Sequence, residues 1–237
     1  MRFRFPFAAA LALLPAPAFA QAYECRVPPV LPRPVADLPS ASQPKREMPI
    51  GGYTLALSWS PEYCRTRRTS SEDHFQCGGE GPRFGFTLHG LWPDGRGKSW
   101  PQYCKPTALL PERVIRENLC ATPDVQLLQH EWAKHGTCMG NIAPPAYFGL
   151  ATKLYAGMRY PDMDALSRRP LTVAGFSRAF AAANPGLRAD MVKLNVNRKG
   201  WLEEVWLCLG TNFRPARCKA SDGGLRPTDR IRIWRGG

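Results

Sequence analysis

The sequence lacks several features that would place it in common classes of protein. It has no apolar run of the roughly 20 residues that a membrane-spanning helix needs, and it has no internal repeat. None of its 8 cysteines forms a C-x-x-C pair, which argues against a zinc ribbon or a dithiol redox site. Histidine is scarce, with 4 residues in a chain of 237, so chemistry that needs imidazole is confined to a few positions.

Acidic residues are also in deficit, with 19 Asp and Glu against 32 Lys and Arg and a net charge of +13. Such an excess favours a polyanionic partner through long-range attraction and release of counterions. Charge alone does not separate RNA from DNA, lipopolysaccharide or an anionic surface.

The N-terminus is typical of an export signal. Arg2 and Arg4 precede an apolar stretch from Phe5 to Leu14, and Ala18-Phe19-Ala20 provides the small residues that a signal peptidase requires. A membrane anchor is the alternative, but the stretch is short and two prolines interrupt its end. We therefore predict a signal peptide over residues 1–20, a periplasmic or secreted protein, and no membrane contact after cleavage.

Two further regions follow the signal. Residues 21–50 form a proline-rich leader, which we expect to be extended because proline fixes φ and removes a donor. Cys25 would tie this leader to the domain surface, and a freely mobile tether is the alternative. Residues 51–237 are predicted to form a single domain, and an even number of cysteines in an exported chain predicts disulfides.

The domain mixes strands and helices without strict alternation. Predicted strands are Tyr53–Trp59, Arg83–Trp92, Asp190–Val196, Leu202–Leu209 and Ile231–Trp234. Predicted helices are Leu109–Leu119, Pro123–His135, Pro145–Met158 and Thr172–Ala183. Pro93-Asp94-Gly95 predicts a turn, and Thr122 predicts a helix N-cap. We expect an α+β fold with a central, largely antiparallel sheet flanked by several helices.

Three of the four histidines lie in two short motifs, FTLHGLWPDG and HEWAKHGTC; His74 lies in a polar loop and is interpreted as a solvated residue. On a helix that turns about 100° per residue, the second motif places its four charged or imidazole side chains on one arc. These four residues are His130, Glu131, Lys134 and His135. Such a face suits a bound polyanion.

A zinc site is the competing interpretation of the second motif. The metalloprotease motif H-E-x-x-H has histidines four residues apart, whereas His130 and His135 are five apart. That spacing separates them by about 140° around a helix, which is poor for two ligands of one ion. Lys134 would add a repelling cation.

His89, in the first motif, is either a packed core histidine or a residue that lines a cleft. Because residue 90 is glycine, no side chain at that position can cover the imidazole or a ligand. Alternation places Thr87 and His89 on the face opposite Phe86 and Leu88, and that face can line a cleft.

Both motifs, FTLHGLWP and HEWAKHGTC, resemble the two active-site signatures of the ribonuclease T2 family, in full and in family order. LALSWSPEYC is similar to the family's first core strand with its cysteine loop, and EVWLCLGTNFRPARC to its C-terminal strand and disulfide loop. The proline-rich leader is not covered. The resemblance implies a sheet-centred α+β fold and cyclising cleavage of RNA.

The resemblance also implies roles for five residues. His135 matches the general base and His89 the general acid, and the two exchange roles if the cyclic product is hydrolysed. His130 matches the phosphate-binding histidine, and Glu131 and Lys134 match the pair that stabilises the transition state. Imidazole suits acid and base work because its pKa lies near neutrality.

Base recognition follows from the resemblance less directly. Trp92 and Asp94 match positions that stack on and hydrogen-bond a base, although core packing is the alternative for Trp92. Tyr103 or Trp100 would close that subsite. Many members have Gln before the first-strand Trp, where this chain has Ser58. This difference weakens the expectation that the family's second base subsite is present in this chain. We expect broad base preference.

The resemblance implies part of the disulfide pairing. It implies Cys104–Cys138, bracing the two motifs, and Cys208–Cys218, closing the C-terminal loop; Cys64–Cys77 is local and plausible, which leaves Cys25–Cys120.

Together these observations predict a monomeric, metal-independent endoribonuclease that acts on single-stranded RNA without a cofactor. The products would carry 2′,3′-cyclic phosphates and then 3′-phosphates. A toxin that uses the same cleavage, a catalytically idle RNA-binding relative and a zinc hydrolase are the alternatives.

Overall fold

The computed structural model describes residues 22–23, 25–79, 83–219 and 224–236, and it has the α+β fold that the sequence predicts. Its central sheet is antiparallel, with strand order β2-β1-β5-β4. The strands are β1 (Ile50–Trp59), β2 (Phe86–Gly95), β4 (Val192–Val196) and β5 (Leu202–Leu209), and a short pair is formed by β3 (Leu171–Thr172) and β6 (Arg230–Ile231).

Helices surround this sheet. They are α1 (Ser60–Tyr63), α2 (His74–Cys77), α3 (Glu112–Asn118), α4 (Val125–Lys134), α5 (Pro144–Ala156), α6 (Met163–Ser167) and α7 (Val173–Ala183). Within the described ranges, no helix has the length and apolar character needed to cross a membrane. The predicted signal peptide, residues 1–20, lies outside the described residues.

The core lies between the sheet and the helices. Leu55 and Leu57 of the central strand β1 are almost fully buried, and they belong to the same apolar cluster as Leu128 of α4 and Phe176 and Phe180 of α7. Burial of such side chains is the main force that holds helices on a sheet, at about 25 cal/mol per Å² of apolar surface. The helix α4, which carries the second histidine motif, is therefore fixed against the sheet.

A β-bulge interrupts the pairing of β2 with β1. Ala56 pairs with Gly90 and Leu57 pairs with Leu88, so His89 is an extra residue without a partner in β1. A bulge of this kind re-aims a side chain and changes which face the following residues occupy.

The bulge explains where the second half of β2 points. Strict alternation would put Trp92 on the core face with Phe86 and Leu88. Instead Leu91 is fully buried in the core, and Trp92 is half-buried on the opposite face.

Two local predictions were wrong. The predicted turn Pro93-Asp94-Gly95 is the end of β2, where Gly95 still pairs with Ile50; proline is tolerated there because β2 is an edge strand. The predicted N-cap Thr122 instead donates its hydroxyl to the carbonyl of Leu88 at 2.8 Å. Asp124 caps α4, accepting from the backbone N–H of Leu127 at 2.9 Å.

Several element boundaries also differ. The strand expected over Ile231–Trp234 is β6, two residues long and shifted toward the N-terminus. The polar loop after β1 contains α1 and α2, and the exposed His74 begins α2. Neither β3 nor α6 was predicted, since each is too short to show a periodic pattern.

Four disulfides brace the domain. They are Cys25–Cys120, Cys64–Cys77, Cys104–Cys138 and Cys208–Cys218, the four pairs expected from the sequence. The first of them ties the leader to the end of α3. The guanidinium of Arg116 also donates to the carbonyl of Pro28 at 2.9 Å, so the leader is attached to the surface rather than free.

Candidate active site

A cavity of about 530 Å³ opens between the second half of β2 and the C-terminal end of α4. We call it the cleft. The five residues predicted to be catalytic all line it: His89, His130, Glu131, Lys134 and His135. Lys98 and Lys193 add positive charge to its walls, and Glu204 and Trp206 of β5 form its floor. The fold thus brings the two histidine motifs to one place.

The wall formed by β2 depends on the bulge and on one glycine. A Cβ atom at Gly90 would overlap the carboxylate of Glu131, so only glycine allows α4 to approach the strand this closely. The indole N–H of Trp92 donates to Glu131 Oε2 at 2.8 Å. The Nε2 atom of His89 lies 3.6 Å from Glu131 Oε1.

The second wall is formed by α4 and the residue that caps it. His130, Glu131 and Lys134 belong to the helix, while His135 is its C-cap. The His135 ring stacks on Trp92 with centroids 5.5 Å apart, and the His89 ring meets the same indole edge-on at 5.0 Å. The two imidazoles therefore contact the same aromatic side chain.

The geometry of the second motif bears on the zinc interpretation. One possible ligand atom each from His130, Glu131 and His135 lie within 4.8 Å of one another, closer than the angular separation on an ideal helix suggested. Two zinc ligands bound at about 2.1 Å stand no more than about 4.2 Å apart, and Lys134 lines the same cleft. We assign no metal to this group.

Glu204 was not predicted, and it controls the charge of His89. Its Oε1 atom contacts Nδ1 of His89, and its Oε2 atom accepts from Trp206 Nε1 at 2.9 Å and Asn195 Nδ2 at 3.1 Å. Burial alone would lower the pKa of His89, but the hydrogen bond to Glu204 and the charge of Glu131 outweigh it and raise that pKa. No sequence signal links the two, since 115 residues separate them.

His135 has the opposite tendency. Its side chain is buried, and its Nδ1 atom has no hydrogen-bond partner among the described residues. Burial, together with the positive charges of Lys134, His130 and His89, holds the pKa of His135 well below its usual value. At neutral pH the His135 ring is therefore uncharged.

Burial also shifts three further groups of the cleft. It raises the pKa of Glu131 to about 7, and it lowers the pKa of Lys134. It also lowers the pKa of His130, although the carboxylate of Asp37 opposes that shift.

Tyr103, expected to contact a base, does not line the cleft. Its side chain is buried, and its hydroxyl donates to Asp37 Oδ2 at 3.0 Å. Trp100, the other candidate, does line the cleft and is 44% exposed. Asp94 also lines the cleft, where the hydroxyl of Thr54 donates to its Oδ2 at 2.8 Å.

The sequence model of the ribonuclease T2 family matches residues 50–218. A probable ribonuclease of Haemophilus influenzae is 30% identical over 183 residues, which cover 73% of this chain and 62% of that protein. A ribonuclease of Aeromonas hydrophila is 33% identical over 163 residues, or 66% of this chain and 70% of that protein. The chain belongs to the ribonuclease T2 family.

Solved structures agree on the fold of this ribonuclease T2 family member. Trichomaglin, described as an S-like ribonuclease, superposes with a TM-score of 0.61 at 20% identity, covering 78% of this chain and 97% of its own. RNase NT, solved in complex with 5′-AMP, superposes with a TM-score of 0.55 at 22% identity, covering 78% and 98%. The match to the ribonuclease T2 model begins at residue 50, so the leader lies outside the family region.

Proposed function

We propose that this protein is a metal-independent endoribonuclease that cleaves single-stranded RNA to 2′,3′-cyclic phosphates and then to 3′-phosphates. The observation that carries this proposal is the pair of imidazoles that both contact the ring of Trp92 in the cleft. The pKa of His89 is raised and that of His135 is lowered, so His89 is the ring that tends to keep its proton, while His135 tends to stay neutral and free to accept one.

The two rings divide the work of an internal displacement. His135, as the general base, takes the proton of the ribose 2′-hydroxyl, whose oxygen then attacks the adjacent phosphorus. His89, as the general acid, gives its proton to the departing 5′-oxygen. In the second stage the roles reverse, water opens the cyclic phosphate, and a 3′-phosphate remains. DNA lacks the nucleophile and is not cut.

The basic side chains of the cleft stabilise the negative charge on the phosphate. Lys134 supplies positive charge, Lys98 and Lys193 extend it along the walls, and His130 offers a ring nitrogen to a phosphate oxygen. Glu131 is held by Trp92 beside His89, where its ionised form supports the protonated ring.

Base binding falls to the exposed part of the cleft. Both imidazoles contact the ring of Trp92, so we assign that indole to the wall rather than to a base. Trp100, which is exposed and lines the cleft, offers a stacking surface, and stacking tolerates any base. Asp94 supplies a hydrogen-bond acceptor beside it, and base preference is broad. A family relative, RNase NT, was crystallised with 5′-AMP.

We further propose that the protein is exported and acts on RNA as a monomer in the periplasm or outside the cell. Four disulfides fit an oxidising compartment. Cell fractionation with mass spectrometry of the mature N-terminus tests this; a chain that retains residues 1–20 in the cytoplasm contradicts it.

The decisive experiment incubates the purified protein with a defined dinucleotide in EDTA and identifies the products by mass spectrometry. Cyclic phosphate products and an intact 2′-deoxy analogue are expected. Loss of cleavage in EDTA would favour the zinc hydrolase, and binding without cleavage would favour an idle relative. His89→Phe and His135→Phe should each abolish detectable cleavage with the fold intact; retained activity in either would reject the two-histidine mechanism.

A further inference from the structure

The leader places a carboxylate against a histidine of the cleft. Asp37 Oδ2 lies 2.8 Å from His130 Nδ1 and also accepts the hydroxyl proton of Tyr103 at 3.0 Å. Both Asp37 and His130 are partly buried at this contact. A carboxylate on one ring nitrogen of a histidine fixes the tautomer and the orientation of the ring.

Anchors on both sides of Asp37 hold it in position. On one side, the backbone N–H of Val35 donates to Gln126 Oε1 at 2.9 Å, and Gln126 Nε2 donates to the carbonyl of Val35 at 3.2 Å. On the other, Arg46 and Gln102 exchange two backbone hydrogen bonds of 2.9 Å. Gln126 and His130 are four residues apart on α4, so they share one face of the helix, and the leader runs along that face.

Asp37 stands behind the histidine rather than in the path of substrate. His130 lines the cleft, whereas neither Asp37 nor Tyr103 does. Because the carboxylate occupies Nδ1, the nitrogen left for the cleft is Nε2. A phosphate oxygen needs an N–H donor there, which requires the charged ring; burial disfavours that form of His130, and the Asp37 carboxylate opposes the effect of burial.

We propose that Asp37 is a positioning residue that presents His130 Nε2 to the scissile phosphate. The proline-rich leader is then a working part of the active site, although it lies outside the segment that matches the family. This inference rests on the proposed phosphate-binding role of His130.

The test compares Asp37→Asn and Asp37→Ala with the wild-type mature chain in steady-state cleavage of a dinucleotide. Asparagine keeps an acceptor without the charge, and alanine removes both. Asp37→Ala removes the residue that orients His130, and we expect it to raise KM roughly tenfold, as loss of the hydrogen-bond partners of metal-binding histidines does. The KM of Asp37→Asn should lie between that of Asp37→Ala and that of wild type. The turnover number should change less than about threefold, as expected for lost ground-state binding.

A spectroscopic measurement separates positioning from a general effect on stability. With only 4 histidines in the chain, two-dimensional ¹H–¹⁵N spectra can resolve each ring. Wild type should show a proton on Nδ1 of His130, and Asp37→Ala should show mixed tautomers for that ring alone. Glu47→Gln is the matched control, since Glu47 is a leader carboxylate paired with Lys45 on the exposed surface.

Two results would overturn the inference. An unchanged KM together with an unchanged His130 tautomer would mean that the contact has no positioning role, and a lower KM would mean that the leader restrains the site. A wild-type chain that fails to cleave RNA would instead refute the proposed function, while the tautomer measurement would still report on the contact itself.

Discussion

Replacing Glu204 with glutamine tests the source of the proton on His89. The Glu204→Gln side chain has the same shape, but it removes the negative charge beside Nδ1 of the ring. It also directs an amide N–H₂ at the N–H donors of Trp206 or Asn195, which now hydrogen-bond to Oε2. We expect the imidazole to lose both its charge partner and its fixed position.

The size of the effect follows from that contact. A hydrogen bond to a charged group contributes about 1.5–3 kcal/mol, which corresponds to roughly a ten- to hundredfold loss of kcat/KM. The direction in which the pH–rate profile should shift also follows from this contact. The carboxylate is the largest influence that raises the pKa of His89 against burial, so without it the ring loses its proton at lower pH. The basic limb of the rate profile should therefore move toward lower pH.

The assay is kcat/KM for a dinucleotide across pH values from about 4 to 9, which reports on the free enzyme. Glu203→Gln is the control, because this neighbouring glutamate is exposed and its removal should leave the profile unchanged. Thermal unfolding of both variants checks that the fold survives. A basic limb that stays in place in a folded Glu204→Gln variant would refute the assignment of His89 as the general acid held charged by Glu204.

Gly90→Ala should lower the free energy of unfolding by about 1–3 kcal/mol and reduce cleavage, because the added methyl meets the buried carboxylate of α4; denaturation curves matching wild type would contradict this. The wild-type kcat/KM profile should be bell-shaped, with its acid limb below the usual histidine pKa because of His135 and its basic limb above it because of His89; an acid limb at or above the usual histidine pKa would contradict this. Replacing Cys25 and Cys120 together by serine should cost about 4 kcal/mol of unfolding free energy, measured by urea denaturation, and no loss would mean that the leader is already free.

The parts of the site that lie in short contiguous motifs could be predicted from the sequence. Glu131 and Lys134 lie within the same ten-residue helix as His130, so helical geometry places them on one wall. His89 was expected on a cleft-lining face, and the fold does put it there. The α+β class and the family were predicted correctly, since both depend on patterns spread over most of the chain.

The parts that depend on pairing between distant segments could not be predicted. Glu204 and Asp37 reach their histidines from another strand and from the leader, and neither contact has a local signal. Tyr103 or Trp100 was expected to close the base subsite, but the hydroxyl of Tyr103 is engaged by Asp37. Pro93 signals a turn in isolation, and only its place on an edge strand permits it in a sheet.

The extra residue in β2 also determines how this region tolerates insertions and deletions. Losing a single amino acid at the bulge would turn the rest of the strand over, exposing Leu91 and directing the Trp92 indole into the apolar interior. A substitution there changes one side chain, whereas an insertion or deletion moves every following side chain of the strand to the opposite face of the sheet. Length in this strand is therefore as constrained as the identity of the histidine itself.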